Sequence, residues 1–148
     1  MTSELLEKAI ALAKDAHQGQ VDKAGAPYIS HPLSVMNQVQ TLEEKIVAVL
    51  HDTIEDTPLT LADLEREGFP APILEAIDAI SKRKGESEAH YLERVMSNRL
   101  ALRVKIADVT DNMRLERIAN PSPKDLARIE RYAKILPMLH AAYQKLTS

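Results

Sequence analysis

Apolar residues recur at spacings of three and four along almost the whole chain, and this period restricts it to packed helices. The opening segment shows the pattern: Leu5, Leu6, Ala9, Leu12, Ala13 and Ala16 share one helical face. Alternation of β-branched residues, the mark of a half-buried strand, is nearly absent. Only four glycines punctuate the 148 residues. The expected fold is therefore all-α, a single-domain helical bundle over residues 1–148, with no repeat or linker. A chain of this length can build a core without disulfide or metal staples.

Local signals divide the chain into helices. The first is expected from Ser3 to His17, followed by a loop through "GQVDKAGAPYIS". A second starts near Pro32 with Ser30 or His31 as its cap. A third is capped at Thr41, where "TLEE" reads as a capping box closed by Glu44, and runs to about Ile54. A short helix capped at Thr60 ends at Gly68, and another spans Pro72 to Ser81. Helices follow at about 88–96 and 98–111. The last has Ser122 as cap and Pro123 as first residue and runs towards Lys145, with a kink expected at Pro137.

Composition narrows the functions. No cysteine is present, which excludes disulfides, thiolate metal sites and cysteine nucleophiles. The net charge is −3 and aromatic residues make up 3%, a poor match to nucleic-acid binding. The segment "MTSELLEKAIALAKDAH" is charged throughout, unlike a signal peptide, and no apolar run reaches the ~20 residues of a membrane span. The expectation is a cytoplasmic protein with no nucleic-acid or membrane partner, acting on a small molecule. Its oligomeric state is open.

The chemistry concentrates in "VLHDTIEDTP", residues 49–58. Asp52, Glu55 and Asp56 crowd the place where a helix should run out, and carboxylates at a helix C-terminus are disfavoured by roughly 0.3–1 kcal/mol each. A second acidic anomaly is "VKIADVTDN", residues 104–112, where Asp108 interrupts the apolar face of Val104, Ile106, Ala107 and Val109. An acid on a core face requires a cationic partner. His31, after a glycine-bearing loop, and His51, beside Asp52, differ from the other histidines. His90 and His140 read as structural, and His17 as a cationic ring at the end of the first helix. Two histidines and two aspartates form a mixed nitrogen–oxygen set suited to a divalent ion, which would also supply the missing positive charge. Solvated acids paired with lysines account for the same residues. Spacing alone leaves both readings open.

Three segments in order, "AHQGQVDKAGAPYISHP", "LHDTIEDT" and "VKIADVTDNM", resemble the HD-superfamily hydrolase domain of RelA/SpoT homologues, above all the stand-alone small alarmone hydrolases. The resemblance spans about residues 5–140. It implies a helical bundle and a divalent metal, usually Mn2+, held by His31, His51, Asp52 and Asp108. It assigns Glu55 and Asp56 as the catalytic acidic pair, one turn beyond the His–Asp doublet. The implied reaction is removal of the 3′-pyrophosphate of a guanosine alarmone, ppGpp or pppGpp, a substrate of the stringent response. An adenosine alarmone or NADPH is the alternative substrate, and a nucleotide sensor without turnover the alternative function.

The same resemblance places Lys23 near the base, Asn112 at the ribose, and Arg128 and Tyr132 near phosphate. Lys105 is of secondary interest, because a lysine stem packed on the core edge explains it equally well. Lys82, Arg83 and Lys84 read as mostly solvated, and Tyr28 as a loop anchor. One position departs from the pattern. Asp22 stands where these hydrolases have an arginine that stacks on the purine, and Val109 and Leu115 replace more polar residues. A carboxylate cannot stack but can accept hydrogen bonds from a base edge, so Asp22 is expected to influence which base is accepted.

Overall fold

The computed structural model describes residues 3–22, 25–114 and 121–147. Among them nine helices form: α1 (Ser3–Ala16), α2 (Ser30–Asn37), α3 (Leu42–Leu50), α4 (Thr53–Asp56), α5 (Leu61–Arg66), α6 (Ala71–Ile80), α7 (Glu88–Met96), α8 (Arg99–Asn112) and α9 (Pro123–Thr147). Among the described residues the one extended pairing is an isolated bridge between Val21 and Pro27 in the loop before α2. The fold is all-α, as the periodicity requires. No helix among the described residues is long and apolar enough to cross a membrane.

Two apolar clusters meet on α8. The larger gathers Ala9 and Ala13 of α1, Val35 of α2, Ile46 to Leu50 of α3, Leu64 of α5, and Ile73, Ala76, Ile77 and Ile80 of α6. Ala101, Val104 and Ala107 of α8 complete it. The smaller joins Tyr91, Leu92 and Val95 of α7 and Leu139 of α9 to Leu102, Ile106 and Val109 on the other side of α8. Burial on both sides makes α8 the central helix. Its stripe Ala101, Val104, Asp108, Asp111 keeps helical spacing but turns from apolar to acidic along its length, and both acids are buried. The central helix therefore carries two buried carboxylates in its C-terminal half.

Caps fix most helix starts. Thr41 accepts from the Glu44 amide at 3.1 Å while Glu44 reaches back to the Thr41 amide, and Thr60 and Asp63 repeat the arrangement. Ser122 and Asp125 form a reciprocal pair at the start of α9, which continues through Pro137 to Thr147. The start of α2 differs from expectation. Its cap is Ile29, without a side-chain cap bond, and Ser30 and His31 already belong to the helix. Turn bonds from the Ser30 and His31 amides to the Pro27 and Tyr28 carbonyls do the capping.

The third helix is also shorter than expected. It stops at Leu50, and a turn at His51–Asp52 separates it from α4. Side chains take the carbonyls that would continue it: His51 Nδ1 lies 2.5 Å from the Ala48 oxygen, and the Thr53 hydroxyl donates to Leu50 at 2.8 Å. Glu55 and Asp56 consequently lie in a separate turn of helix. The C-terminal penalty inferred for them does not arise in the form expected.

Candidate metal and active site

α2, the α3–α4 turn and α8 bring three buried side chains together. His31 Nε2 is 2.8 Å from Asp108 Oδ1, and His51 Nε2 is 3.2 Å from the same oxygen. One donor atom from each of His31, His51 and Asp108 lies within 4.8 Å of the others. Asp52 Oδ2 stands 3.1 Å from His51 Nε2 and 3.8 Å from His31 Nε2. These four residues converge although 77 positions separate His31 from Asp108.

The outer nitrogen of each ring is already engaged. His31 Nδ1 pairs with Asp111 Oδ2 at 2.6 Å, and His51 Nδ1 with the Ala48 carbonyl. Asp111 is in turn held by the Ser34 hydroxyl at 2.7 Å. A carbonyl can only accept, so His51 Nδ1 carries the proton and Nε2 is left as the inward lone pair in the neutral ring. An acidic partner behind a ligating histidine orients the ring and strengthens it as a donor. The Tyr28 ring packs beside His17 and His31, and its hydroxyl donates to Asp52 Oδ2 at 2.5 Å.

The field between the rings favours positive charge. Burial opposes charging of His31, yet Asp108 and Asp111 outweigh it and push its pKa up to about 9. His51 is raised well above its ordinary value against the same burial, by Asp52 and Asp108. Asp108 is held well below the carboxylate range, where burial is overcome by Lys105 and His51. A site that draws protons onto two buried imidazoles meets the electrostatic requirement of a cation. Two nitrogen and two carboxylate donors match a borderline-to-hard divalent ion, so the residues present fit such a metal.

Glu55 and Asp56 lie on α4 beside this cluster, exposed, with pKa values raised first by burial of the carboxyl oxygens and then by neighbouring acids. Glu55 accepts from the Lys82 amide, and the Gln20 side chain donates to the Asp56 carbonyl at 3.2 Å. Asn112 Nδ2 donates to Asp108 Oδ1 at 3.0 Å, which brings it into the cluster.

The remaining expected contacts are less converged. Asp22 Oδ1 accepts from the Ala26 amide at 3.0 Å and the two backbones pair, so this carboxylate helps close its own loop. Lys23 and Leu115 lie outside the described residues. Arg128 faces Asp125 at 3.8 Å, and among the described residues its buried Nε has no hydrogen-bond partner. Among the described residues no hydrogen bond or ion pair joins Arg128 to the metal cluster. Tyr132 packs in the smaller cluster, within electrostatic reach of Lys105. His17 is buried just past the end of α1, with Nδ1 2.9 Å from Gln20 Oε1. His90 pairs with Glu86 at 2.9 Å.

Sequence reasoning passed over Asp111 and read Tyr28 as a loop anchor. Asp111 carried a usable signal: it continues the stripe of Ala101, Val104 and Asp108, so a second acid faces the same way. The Tyr28–Asp52 contact had none, since the partners are 24 residues apart in unlike elements.

Comparison with known proteins adds a family. The profile of the HD domain matches residues 9–101. The chain is 33% identical over 144 residues to the guanosine-3′,5′-bis(diphosphate) 3′-pyrophosphohydrolase of Haemophilus influenzae, covering 87% of this chain and 21% of that protein. It is 36% identical over 124 residues to the bifunctional (p)ppGpp synthase/hydrolase SpoT of Escherichia coli K12, covering 74% of this chain and 18% of that protein. A probable GTP pyrophosphokinase of Mycobacterium leprae matches at 30% over 92% of this chain and 19% of its own length. The chain thus spans about a fifth of the length of these relatives. Among solved structures, one described as a metazoan orthologue of SpoT that hydrolyses ppGpp aligns with a TM-score of 0.78 at 18% identity. That alignment covers 98% of this chain and 94% of the other, and shows a shared fold.

Proposed function

This chain belongs to the HD-domain family, and we propose that residues 1–148 act as one metal-dependent phosphohydrolase unit that removes the 3′-pyrophosphate of guanosine alarmones. The observation that carries the proposal is the convergence of His31 Nε2, His51 Nε2 and Asp108 Oδ1 with the outer ring nitrogens already committed. The names of the relatives supply the substrate class. Those names include both synthesis and hydrolysis, and the chain matches only part of each protein, so the choice between the two rests on the site. Buried imidazoles and carboxylates beside an exposed acidic pair suit water activation.

His31, His51, Asp52 and Asp108 would hold the ion, for which Mn2+ is the leading candidate. Such an ion polarises phosphate oxygen and lowers the pKa of water. Glu55 and Asp56 orient the attacking water and take its proton, and burial raises their pKa values towards what that task needs. Water adds to the phosphorus next to the ribose, the bond from that phosphorus to the 3′-oxygen breaks, and the 3′-oxygen leaves with a proton. The products from ppGpp are GDP and pyrophosphate.

Asn112, beside the ligand Asp108, is the best-supported substrate contact. Arg128, whose Nε has no hydrogen-bond partner among the described residues, Tyr132 and Lys23 are proposed at phosphate and base. Asp22 influences the base by shaping its loop or by meeting the base edge. The predicted setting is the cytoplasm, with a small nucleotide as the partner.

Incubating the purified, Mn2+-loaded chain with ppGpp tests this directly. GDP and pyrophosphate should appear in equal amounts, and the Glu55→Gln variant should release neither at a comparable rate. Tight ppGpp binding without products would make the chain a sensor. Faster cleavage of an adenosine alarmone or NADPH would reassign the substrate.

A further inference from the structure

Asp108 has two oxygens, and the structure gives them different partners. Oδ1 faces both histidine Nε2 atoms and Asn112 Nδ2. Oδ2 is taken by Lys105 Nζ at 3.1 Å. Lys105 precedes Asp108 by almost one turn of α8, with its ammonium turned inward. Only 16% of its side chain is exposed, and the nitrogen sits 5.2 Å from the centre of the Tyr91 ring. The Tyr91 hydroxyl is itself tied to the Ile80 carbonyl at 2.6 Å, so the ring is a fixed floor beneath the ammonium. A lysine that merely packs its stem on a core edge keeps its charge in water. This one gives up water for a ring face and one oxygen of a carboxylate that the histidines already share.

Resting on the reading of the site as a metal centre, we infer that Lys105 is a positioning residue that confines Asp108 to the ion through Oδ1 alone. A carboxylate free to rotate can chelate an ion with both oxygens and fill one further coordination position. A hydrolase needs such positions for water and phosphate oxygens. Lys105 withholds Oδ2 from the ion, and Asn112 steadies Oδ1 from the other side. Its positive charge also opposes the ion through space. The site therefore trades some metal affinity for open positions.

This gives a sign that a damaged site would not give. K105M should bind Mn2+ more tightly, by about tenfold, because a like charge near the ion is gone. The variant should also show fewer exchangeable water positions, read from 17O-water broadening of the bound Mn2+ signal in electron paramagnetic resonance. Its kcat should fall more than tenfold with KM little changed. K105R, which keeps the charge and a donor for Oδ2, should restore the wild-type water count and most of kcat. Should K105M not fold, K105Q carries the affinity comparison, since it leaves a donor at Asp108 without the charge. A lowered melting temperature with unchanged affinity, water count and kcat would make Lys105 a structural ion pair and overturn the inference. Weakened Mn2+ binding in K105M and K105Q would overturn it too. Wild-type protein that binds no Mn2+ would instead remove the metal-centre reading on which it rests.

Discussion

His31 and His51 share a proposed role but not the same support. His51 leans on a main-chain carbonyl, which mutation cannot remove, while His31 leans on Asp111, which it can. Asp111→Ala should therefore lower Mn2+ affinity by ~10–100-fold, the usual cost of losing the partner behind a ligating histidine. Isothermal titration would measure it, and unchanged affinity would show that His31 needs no orienting group. The acidic pair behaves differently. Glu55→Gln and Asp56→Asn should each retain the metal, because neither carboxylate contacts the imidazoles, yet lose ~10²–10⁴-fold in kcat. Loss of the metal in both would make them ligands. The convergence of the proposed ligands was legible in the sequence because acids on a core face beside histidines are chemically anomalous. The supports of Asp52 and Asp108 were not, because Tyr28 and Lys105 have ordinary structural reasons to exist. Only three-dimensional contact shows where their polar ends go.

Helix boundaries were readable wherever a side chain caps its own helix, as at Thr41, Thr60 and Ser122, because the partner lies three residues away. The break after Leu50 was not readable: the apolar pattern continues through Ile54, and the interruption comes from the His51 ring taking a carbonyl. The same ring that ends α3 is a proposed metal ligand, so helix ending and site building are one event. A second junction, between α6 and α7, is electrostatic. Arg94 clasps Glu86 and donates to the carbonyls of Asp78, Ala79 and Ser81. The Arg94 hydrogen bonds bring the Glu86 pKa down to about 2. A carboxylate whose pKa falls on folding stabilises the fold above its unfolded value and loses that contribution as the pH drops towards its folded value. Urea midpoints of Glu86→Gln should thus lie below wild type at pH 7. The gap should narrow as the pH falls through ~4.5 and close near pH 2. A gap that persists undiminished at pH 2 would show that the pair is not its origin.

At the scale of the whole molecule, the proposed ligands sit where separately packed parts meet. His31 comes from α2 and His51 and Asp52 from the turn after α3, helices whose apolar faces build the larger cluster, whereas Asp108 lies on the helix shared by both clusters. This junction gathers Asp52, Asp108 and Asp111 around the rings of His31 and His51, with Lys105 Nζ 3.1 Å from Asp108 on the far side. Carboxylates gathered at low dielectric repel one another, and here the two imidazoles and Lys105 answer that repulsion where α2, α3 and α8 converge. An ion bound there would take over that charge balance and link the three helices at once. Because the unfolded chain has no such cluster, binding adds directly to folding stability: ~2.7 kcal/mol at a free ion concentration of 100 Kd. For a chain near 150 residues this corresponds to a rise in Tm of about 5–11 °C. Thermal unfolding with and without Mn2+ should show the rise, a chelator should reverse it, and His51→Ala should abolish it. His51→Ala matters most, because ions bound loosely to surface acids would raise the Tm of that variant as well. A shift of equal size in wild type and His51→Ala would place the ion elsewhere on the molecule.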